Sequence, residues 1–561
     1  MTTGARDAIA AGFRAAIDRA AADLGWPDEV KAVPISVERP AEPTHGDFAS
    51  SAAMRLAKPL RKPPMAIAEA IRDRFPPSEM VASVEVAKPG FVNVRLADAW
   101  VARQADAIAA AGADYGRSTR LAGKRIQVEF ISANPTGPMT VANARGGPIG
   151  DVLANVLAFG GANVHREYYV EDGGTQLKRF GLSVALRYRE LFGEQVEIPP
   201  DAYPGDYVKE IATEIRERHG DRYRDTPVEE QAKIFAPMAI DWVVANAQHV
   251  TAKFGIHFDT WFKQSSIIES GYLKETIDEL RKRGVIVERE GVIFFETPEA
   301  IALRRQGDEG WVLVDAQGDT KYLGTDIAYH RLCLEERGFD LKLDVWGANT
   351  EYHLSQMRIA LPYVGLDPSR FEVLIYQYVR FLHEGVLTRM GKRTGRYLLL
   401  EDVIDAVGKD VARFFFLQAG ADRQLDFDFE LAVEQSNENP AYYVQYAHAR
   451  IASICRTAAE RGLSSAGADV RLLTAPAEIE LIKLLLRFPE VADDVLERRA
   501  PHLFTVYAIQ LAGAFHSYYR DHRVVGDDAA LSRARLRLVE AVQVTLKQVL
   551  GLLGISAPDT M

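Results

Sequence analysis

The stretch QVEFISANPTGPMTVANARGGPIGDVLANVLAFGGANVHREYY, running from Gln127 to Tyr169, constrains this chain more than any other. Val128 and Phe130 alternate with Gln127 and Glu129, the period of two of a β-strand whose successive side chains point to opposite faces. A loop of small and turn-forming residues follows, from Ser132 to Pro138. Ile149, Val152, Leu153, Val156 and Leu157 then recur at helical spacing, Gly160 and Gly161 supply a C-terminal stop, and Val164 to Val170 reads as the next strand. Such a strand, loop, helix and strand unit aims the free N–H groups and positive dipole of its helix at whatever lies beyond the first strand. Phosphate suits that place.

The 561 residues leave room for about three to four domains of roughly 150 residues each. The first 25 residues interleave Arg6, Asp7, Arg14 and Asp18 with Ile9, Phe13, Ile17 and Leu24, which predicts an amphipathic helix and not a signal peptide. Pro27, Pro34 and Pro40 then break the chain into short extended segments and turns. Two helices flank Lys62-Pro63-Pro64, and Val84 to Val86 with Phe91 to Leu96 read as a hairpin across Pro89-Gly90.

From Gly116 to about residue 400 strands alternate with helices, which favours a parallel, doubly wound sheet with ligands at the carboxyl ends of its strands. A charged helical segment over about 190–250 interrupts that pattern. Gly291 to Phe295, Trp311 to Asp315 and Tyr322 to Leu323 read as short strands, and GFDLKLDVWGANTEYH as a buried strand entering a polar loop. Beyond Gly408 strand signals nearly vanish. Pro440 opens a long helix, and Leu503, Tyr507, Leu511 and Phe515 recur every four residues, so a helical bundle is expected.

Composition excludes several classes. Hydrophobic content of 47% with 26% charged residues is that of an ordinary globular protein, and no apolar run reaches the ~18 residues of a membrane span, so no membrane partner and a cytoplasmic location are expected. Cys333 and Cys455 are too far apart for a zinc framework. A net charge of -11 argues against a uniformly basic nucleic-acid coat and leaves local basic grooves open. One basic cluster comprises Arg380, Arg389, Lys392, Arg393 and Arg396, with no acid between Glu384 and Glu401. Such a loop closes over polyphosphate or is merely solvated, and spacing leaves both readings open. Tyr442 and Tyr446 share a helix face near His448 and Arg450, which suits stacking on a single-stranded RNA loop or contacts between helices.

Segments across nearly the whole length resemble arginyl-tRNA synthetases, which are class I aminoacyl-tRNA synthetases. THGDFA and AKPGFVNVRL resemble the family's N-terminal domain, VEFISANPTGPM, REYYVEDGGTQ, TKYLGTDIAYH and DVWGANTEYH its catalytic blocks, and QSNENPAYYVQYAHARI and LLGISAPDTM its anticodon-binding helices. The resemblance implies an α/β fold: a Rossmann-like, doubly wound parallel-sheet catalytic domain over residues 113–405 with a helical and β insertion at about 185–320. An N-terminal α/β domain over 1–112 and a C-terminal α-helical bundle over 406–561 would flank it.

It also implies activation of L-arginine by ATP, with Mg2+ on the nucleotide and no zinc, followed by transfer to arginine tRNA by a monomer. Matching positions place Glu129, Asn134, Tyr322, Asp326 and Gln176 on arginine, with Tyr168 a weaker candidate. Pro135, Thr136, Gly137, Ala142 and Met390 fall on ATP, Thr140, Asn143, Arg389, Lys392 and Arg393 on the reacting phosphates, and Tyr442, Tyr446, His448 and Arg450 on tRNA. The chemistry agrees, because a guanidinium is a planar fork of donors that pairs best with a carboxylate and a hydroxyl-bearing or aromatic neighbour.

The sequence departs from the family at several points. Its His-x-Gly-His signature is here Thr140, Val141, Ala142 and Asn143, where Thr140 is expected to cap the helix and Asn143 to donate a hydrogen bond. Pro148 should bend a helix that begins near Thr140. Lys-Met-Ser-Lys-Arg becomes Arg389, Met390, Gly391, Lys392 and Arg393, Glu171 stands where relatives often have asparagine, and Thr350 where some have glutamine or histidine. An active enzyme is the reading preferred. A catalytically impaired tRNA-binding paralogue and a different class I synthetase are the alternatives.

Overall fold

The computed structural model describes residues 4–305, 309–383, 386–388 and 399–561. The segment with Arg389, Met390, Gly391, Lys392, Arg393 and Arg396 lies outside the described residues. Among the described residues no helix is long and apolar enough to cross a membrane.

Five parallel strands form the central sheet: β1 (Arg125–Phe130), β2 (Asn163–Val170), β3 (Thr260–Lys263), β4 (Leu341–Gly347) and β5 (Phe371–Tyr376). They lie in the order β3-β2-β1-β4-β5. The chain works outward from β1 to β3 and returns to β1's other side with β4, so the crevice between the carboxyl ends of β1 and β4 is the place where such a sheet takes ligands.

The two faces of the sheet differ in kind. Ile126, Val128 and Phe130 of β1, with Leu343 and Val345 of β4, form a buried apolar face beneath helix α1 (Gly146–Phe159). Approach there is close enough that a Cβ on Gly150 would run into the ring of Phe130. The opposite face carries Gln127, Glu129, Glu167, Tyr169, Lys342 and Asp344, all buried beneath helix α2 (Tyr322–Arg331). Register makes this a continuous layer, because Glu129 sits opposite both Glu167 and Asp344.

Between β2 and β3 the helices Gly174–Glu190, Asp206–His219 and Val228–Lys253 enclose a separate core around Phe180, Tyr188 and Phe235. The antiparallel strands Ile286–Arg289, Val292–Phe295 and Trp311–Val314 follow. At the N-terminus the helix Ala5–Leu24 precedes a four-stranded antiparallel sheet that contains the expected hairpin, Val81–Ala87 with Phe91–Leu96. That sheet docks on the C-terminal helices: Arg39 donates to both carboxylate oxygens of Glu490 at 2.8 and 2.9 Å, and Lys483 lies 2.9 Å from Asp47. The bundle itself contains Pro440–Glu460 and His502–Asp521, with Tyr507, Leu511 and Phe515 buried along one stripe.

Three expectations change. Tyr322 and Leu323 open a helix and not a strand, because the pairing that leads to them ends where Lys321 N–H donates to Leu313 O at 2.8 Å. The polar segment after β4 winds into α3 (Glu351–Ala360). Pro148 does not bend a continuous helix: one turn, Val141–Ala144, stops at Arg145, and α1 starts afresh at Gly146. Pro148 therefore falls in a first turn, where a backbone N–H would have no acceptor within the helix.

Candidate active site

β1 ends in strained backbone. Ile131 and Ser132 have φ of 69° and 39°, in the left-handed region that β-branched residues in particular avoid. Side chains from β1 and β2 hold the turn. Ser132 Oγ donates to Glu129 Oε1 at 2.9 Å and accepts from Tyr169 N–H at 3.1 Å, while the Tyr168 hydroxyl accepts from Ala133 N–H at 3.0 Å. Further on, Asn134 Nδ2 donates to Gln176 Oε1 at 3.2 Å, which brings two predicted arginine ligands together on exposed positions. Pro135 is buried, and the Tyr207 hydroxyl donates to Thr136 O at 2.7 Å. A Cβ on Gly137 would lie 2.9 Å from the Tyr207 ring, so a larger residue there would have to displace that ring.

Thr140 occupies the N-cap position of Val141–Ala144 but makes no capping bond there; its hydroxyl instead donates to Asn143 Oδ1 at 3.3 Å. Ala142 is exposed. Leu400 N–H donates to Met139 O at 3.0 Å, so the chain leaving the basic segment rejoins the turn that carries Thr140 and Asn143. Just behind, the buried Arg145 guanidinium donates to the carbonyls of Gln377, Ala419, Gly420 and Arg423 at 2.6 to 3.1 Å. Arg380 is not free for phosphate, since Asp426 takes its fork at 2.6 and 2.8 Å.

Under α2 the charged layer is paired with little slack. Lys342, fully buried, reaches Glu129 Oε2 and Asp344 Oδ1, both at 2.6 Å, and lies 4.6 Å from the Tyr329 ring centre. Burial alone would pull the Lys342 ammonium pKa down, but Asp344 and Glu129 outweigh it and push it up. Burial pushes the Glu129 carboxyl up. Asp344 also accepts from His330 Nε2 at 2.9 Å. Glu167 takes the fork of Arg337; burial opposes its charge, yet the bonds from Arg337 and His165 prevail and bring it to about 2.

Toward the carboxyl ends of the strands the pairing thins out. Asp326, 5% exposed on α2, accepts from His353 Nε2 of α3 at 2.6 Å. The His353 ring lies 4.3 Å from that of Tyr322, which stands at the mouth of the recess. Glu171 follows directly after β2, and burial together with Asp326 pushes its carboxyl up to about 7. The predicted Tyr322 and Asp326 thus meet two groups that the sequence reading gave no role, Glu171 and His353. Glu171 was readable as the next position in the alternation of Glu167 and Tyr169, whereas His353 carried no such signal. Among the described residues no group of three or more His, Cys, Asp and Glu side chains could hold a metal ion.

Comparison with known proteins matches residues 7–96 to the arginyl tRNA synthetase N terminal domain, 106–416 to the catalytic domain of class I (R) tRNA synthetases, and 444–561 to the DALR anticodon binding domain. The chain is 42% identical over 531 residues to the arginine–tRNA ligase of Geobacter sp. (strain M21), covering 94% of this chain and 95% of that one. The chain belongs to the arginyl-tRNA synthetase family. The arginine–tRNA ligase of Desulforudis audaxviator is 40% identical across the full length of both chains. Among solved structures, the Thermus thermophilus arginyl-tRNA synthetase superposes with a TM-score of 0.77 at 22% identity over 99% of this chain and all of that one. The putative Campylobacter jejuni enzyme does so with 0.74 at 28% over 83% of this chain and all of that one.

In this synthetase an aromatic and cationic stack begins two residues before the region matched to the anticodon-binding family and runs into it. On α4 (Pro440–Glu460) the rings of Tyr442 and Tyr446 stack with centres 6.1 Å apart. Arg450 donates to the Tyr446 hydroxyl at 2.8 Å and lies over that ring at 4.6 Å and over Tyr519 at 5.6 Å. His448 does not share this surface. It is 2% exposed and bonds Pro558 O at 2.9 Å, because its place on the helix points it at the chain's last residues.

Proposed function

We infer that this chain is an arginine–tRNA ligase. A carboxylate oxygen of L-arginine attacks the α-phosphorus of ATP, the bond to pyrophosphate breaks, and arginyl-adenylate forms. The terminal 2'-hydroxyl oxygen of arginine tRNA then attacks the arginyl carbonyl carbon, AMP leaves, and the hydroxyl proton is lost. Neither step needs a covalent nucleophile from the protein, so catalysis rests on positioning and on stabilising charge.

The recess at the switch point carries this reading: Asp326 lies buried beneath Tyr322, with one oxygen held by His353 and the other without a hydrogen bond among the described residues. A guanidinium fits there, with Asp326 taking one edge of the fork and Tyr322 covering its face. Glu129, anchored by Lys342 and Ser132, and Asn134, paired with Gln176, would receive the amino and carboxylate end. Pro135, Thr136, Gly137 and Ala142 would line the nucleotide site, with Thr140 and Asn143 beside the phosphates and Met390, Arg389, Lys392 and Arg393 closing from the basic segment. Mg2+ would arrive on the ATP and neutralise its phosphates.

Tyr442, Tyr446 and Arg450 would stack on and neutralise the anticodon loop, with His448 bracing the helix from behind. We place the domain boundaries near residues 112 and 405 and take the working form to be a cytoplasmic monomer. Arginine-dependent exchange of pyrophosphate into ATP, run with and without arginine tRNA, tests the reading. Exchange in either condition supports it, and its absence from both overturns it.

A further inference from the structure

The acids under α2 can be taken one at a time. Glu129 and Asp344 share Lys342, Asp344 also meets His330, Glu167 is forked by Arg337, and Asp326 meets His353. Glu171 is left over. Among the described residues no hydrogen bond or ion pair reaches its carboxylate, and the charge that acts on it is a like one, Asp326.

Its placement follows from the strand. Glu167 and Tyr169 point toward α2, and Glu171 is the next residue in that alternation. Tyr169 packs on Tyr329 with ring centres 4.6 Å apart, and Asp326 lies about one helical turn before Tyr329, toward the carboxyl ends of the strands. Two carboxylates therefore converge beside Tyr322, and among the described residues no lysine or arginine pairs with either.

We propose that Glu171 joins Asp326 in holding the guanidinium of bound arginine and so sets the selection of arginine over an uncharged isostere such as citrulline. This rests on the reading that Asp326 meets that guanidinium. Five N–H donors on one planar cation are more than a single carboxylate can accept, and Glu171 supplies the second acceptor. Burial and the like charge of Asp326 both disfavour the charged form of Glu171, and an entering cation relieves that. The groups around Glu171 are Asp326 and Tyr322 from α2 and Tyr169 from β2, with His353 of α3 acting through Asp326. Asp172 is turned away to Ser265.

With its carboxyl pushed up to about 7, Glu171 carries a proton part of the time near neutral pH. Arriving arginine drives that proton off. Binding therefore tightens as pH rises through about 7 and releases protons near neutral pH.

The test is calorimetric titration of the full-length protein with L-arginine, alone and with arginine tRNA, in two buffers of different ionisation enthalpy. Relative to wild type, Glu171→Gln should lose the proton release near pH 7, weaken arginine about 10-fold or more at pH 8, and bind citrulline no worse. Glu171→Asp, which keeps the charge, should retain the proton release. Wild-type affinity and proton release in Glu171→Gln would overturn the proposal. If Asp326→Asn alone destroyed arginine binding, the functional reading would stand without Glu171. If the wild-type protein bound no arginine in either condition, that reading and this proposal would fall together.

Discussion

Replacing Lys342 by methionine removes one cation from beneath two acids and leaves the shape of the site nearly unchanged. The ammonium is fully buried and lies 2.6 Å from both Glu129 and Asp344, so its loss strands two carboxylates in a place water does not reach. Breaking a buried ion pair from one side costs about 3–5 kcal/mol. His330 remains beside Asp344 and offsets part of this, which puts the expectation near the lower figure. In a scanning melt the catalytic transition should fall by roughly 5–10 °C.

The sign with pH is opposite for the two proteins. Wild-type Lys342 has its pKa raised, so its contribution is complete below its ordinary value of 10.5 and fades only in strong base. The variant keeps stranded carboxylates that gain by protonation, so its deficit should shrink as pH falls from about 7 to 5. Glu129 also loses its anchor, so the KM for arginine should rise at least several-fold while the KM for ATP changes little. A variant that melts within about 1 °C of wild type at both pH values would refute the view that Lys342 neutralises Glu129 and Asp344.

Asp326→Ala should raise the arginine KM about 10- to 100-fold and leave the ATP KM nearly unchanged in pyrophosphate exchange; an equal effect on both would remove the guanidinium from Asp326. Tyr446→Ala with Arg450→Ala should raise the tRNA KM in aminoacylation about 10-fold or more without moving the arginine KM, and no change would take the anticodon off that face. Glu167 sits near 2, below its ordinary 4.5, so its contribution is present above 4.5 and lost as pH falls toward 2. Glu167→Gln should therefore flatten the acid limb of a melting curve, and an unchanged limb would show that Arg337 does not hold that charge.

What could be read from the sequence is what neighbours along the chain decide. The alternation of Gln127 and Glu129 with Val128 and Phe130 assigned a polar and an apolar face before any partner was known, and the structure places α2 on one and α1 on the other. Pro440 marks a helix start, since a proline in the first turn acts locally, and in the structure Asn439 caps that helix. Tyr322 reads as strand in the sequence and opens a helix in the fold, because short apolar runs near a turn leave the choice of helix or strand to tertiary packing.

Tertiary structure alone decided the rest. Lys342 meets Glu129 across 213 positions because β1 and β4 pair in one register, and nothing local in either segment announces it. His448 has the spacing of an RNA-facing residue and is buried, because the last residues of the chain return to cover it. Glu171 acquires meaning only once every other acid beneath α2 has found its partner. A side chain's own neighbours set its strand face or helix turn, but whether its charge is answered depends on residues brought within about 3 Å by the whole fold.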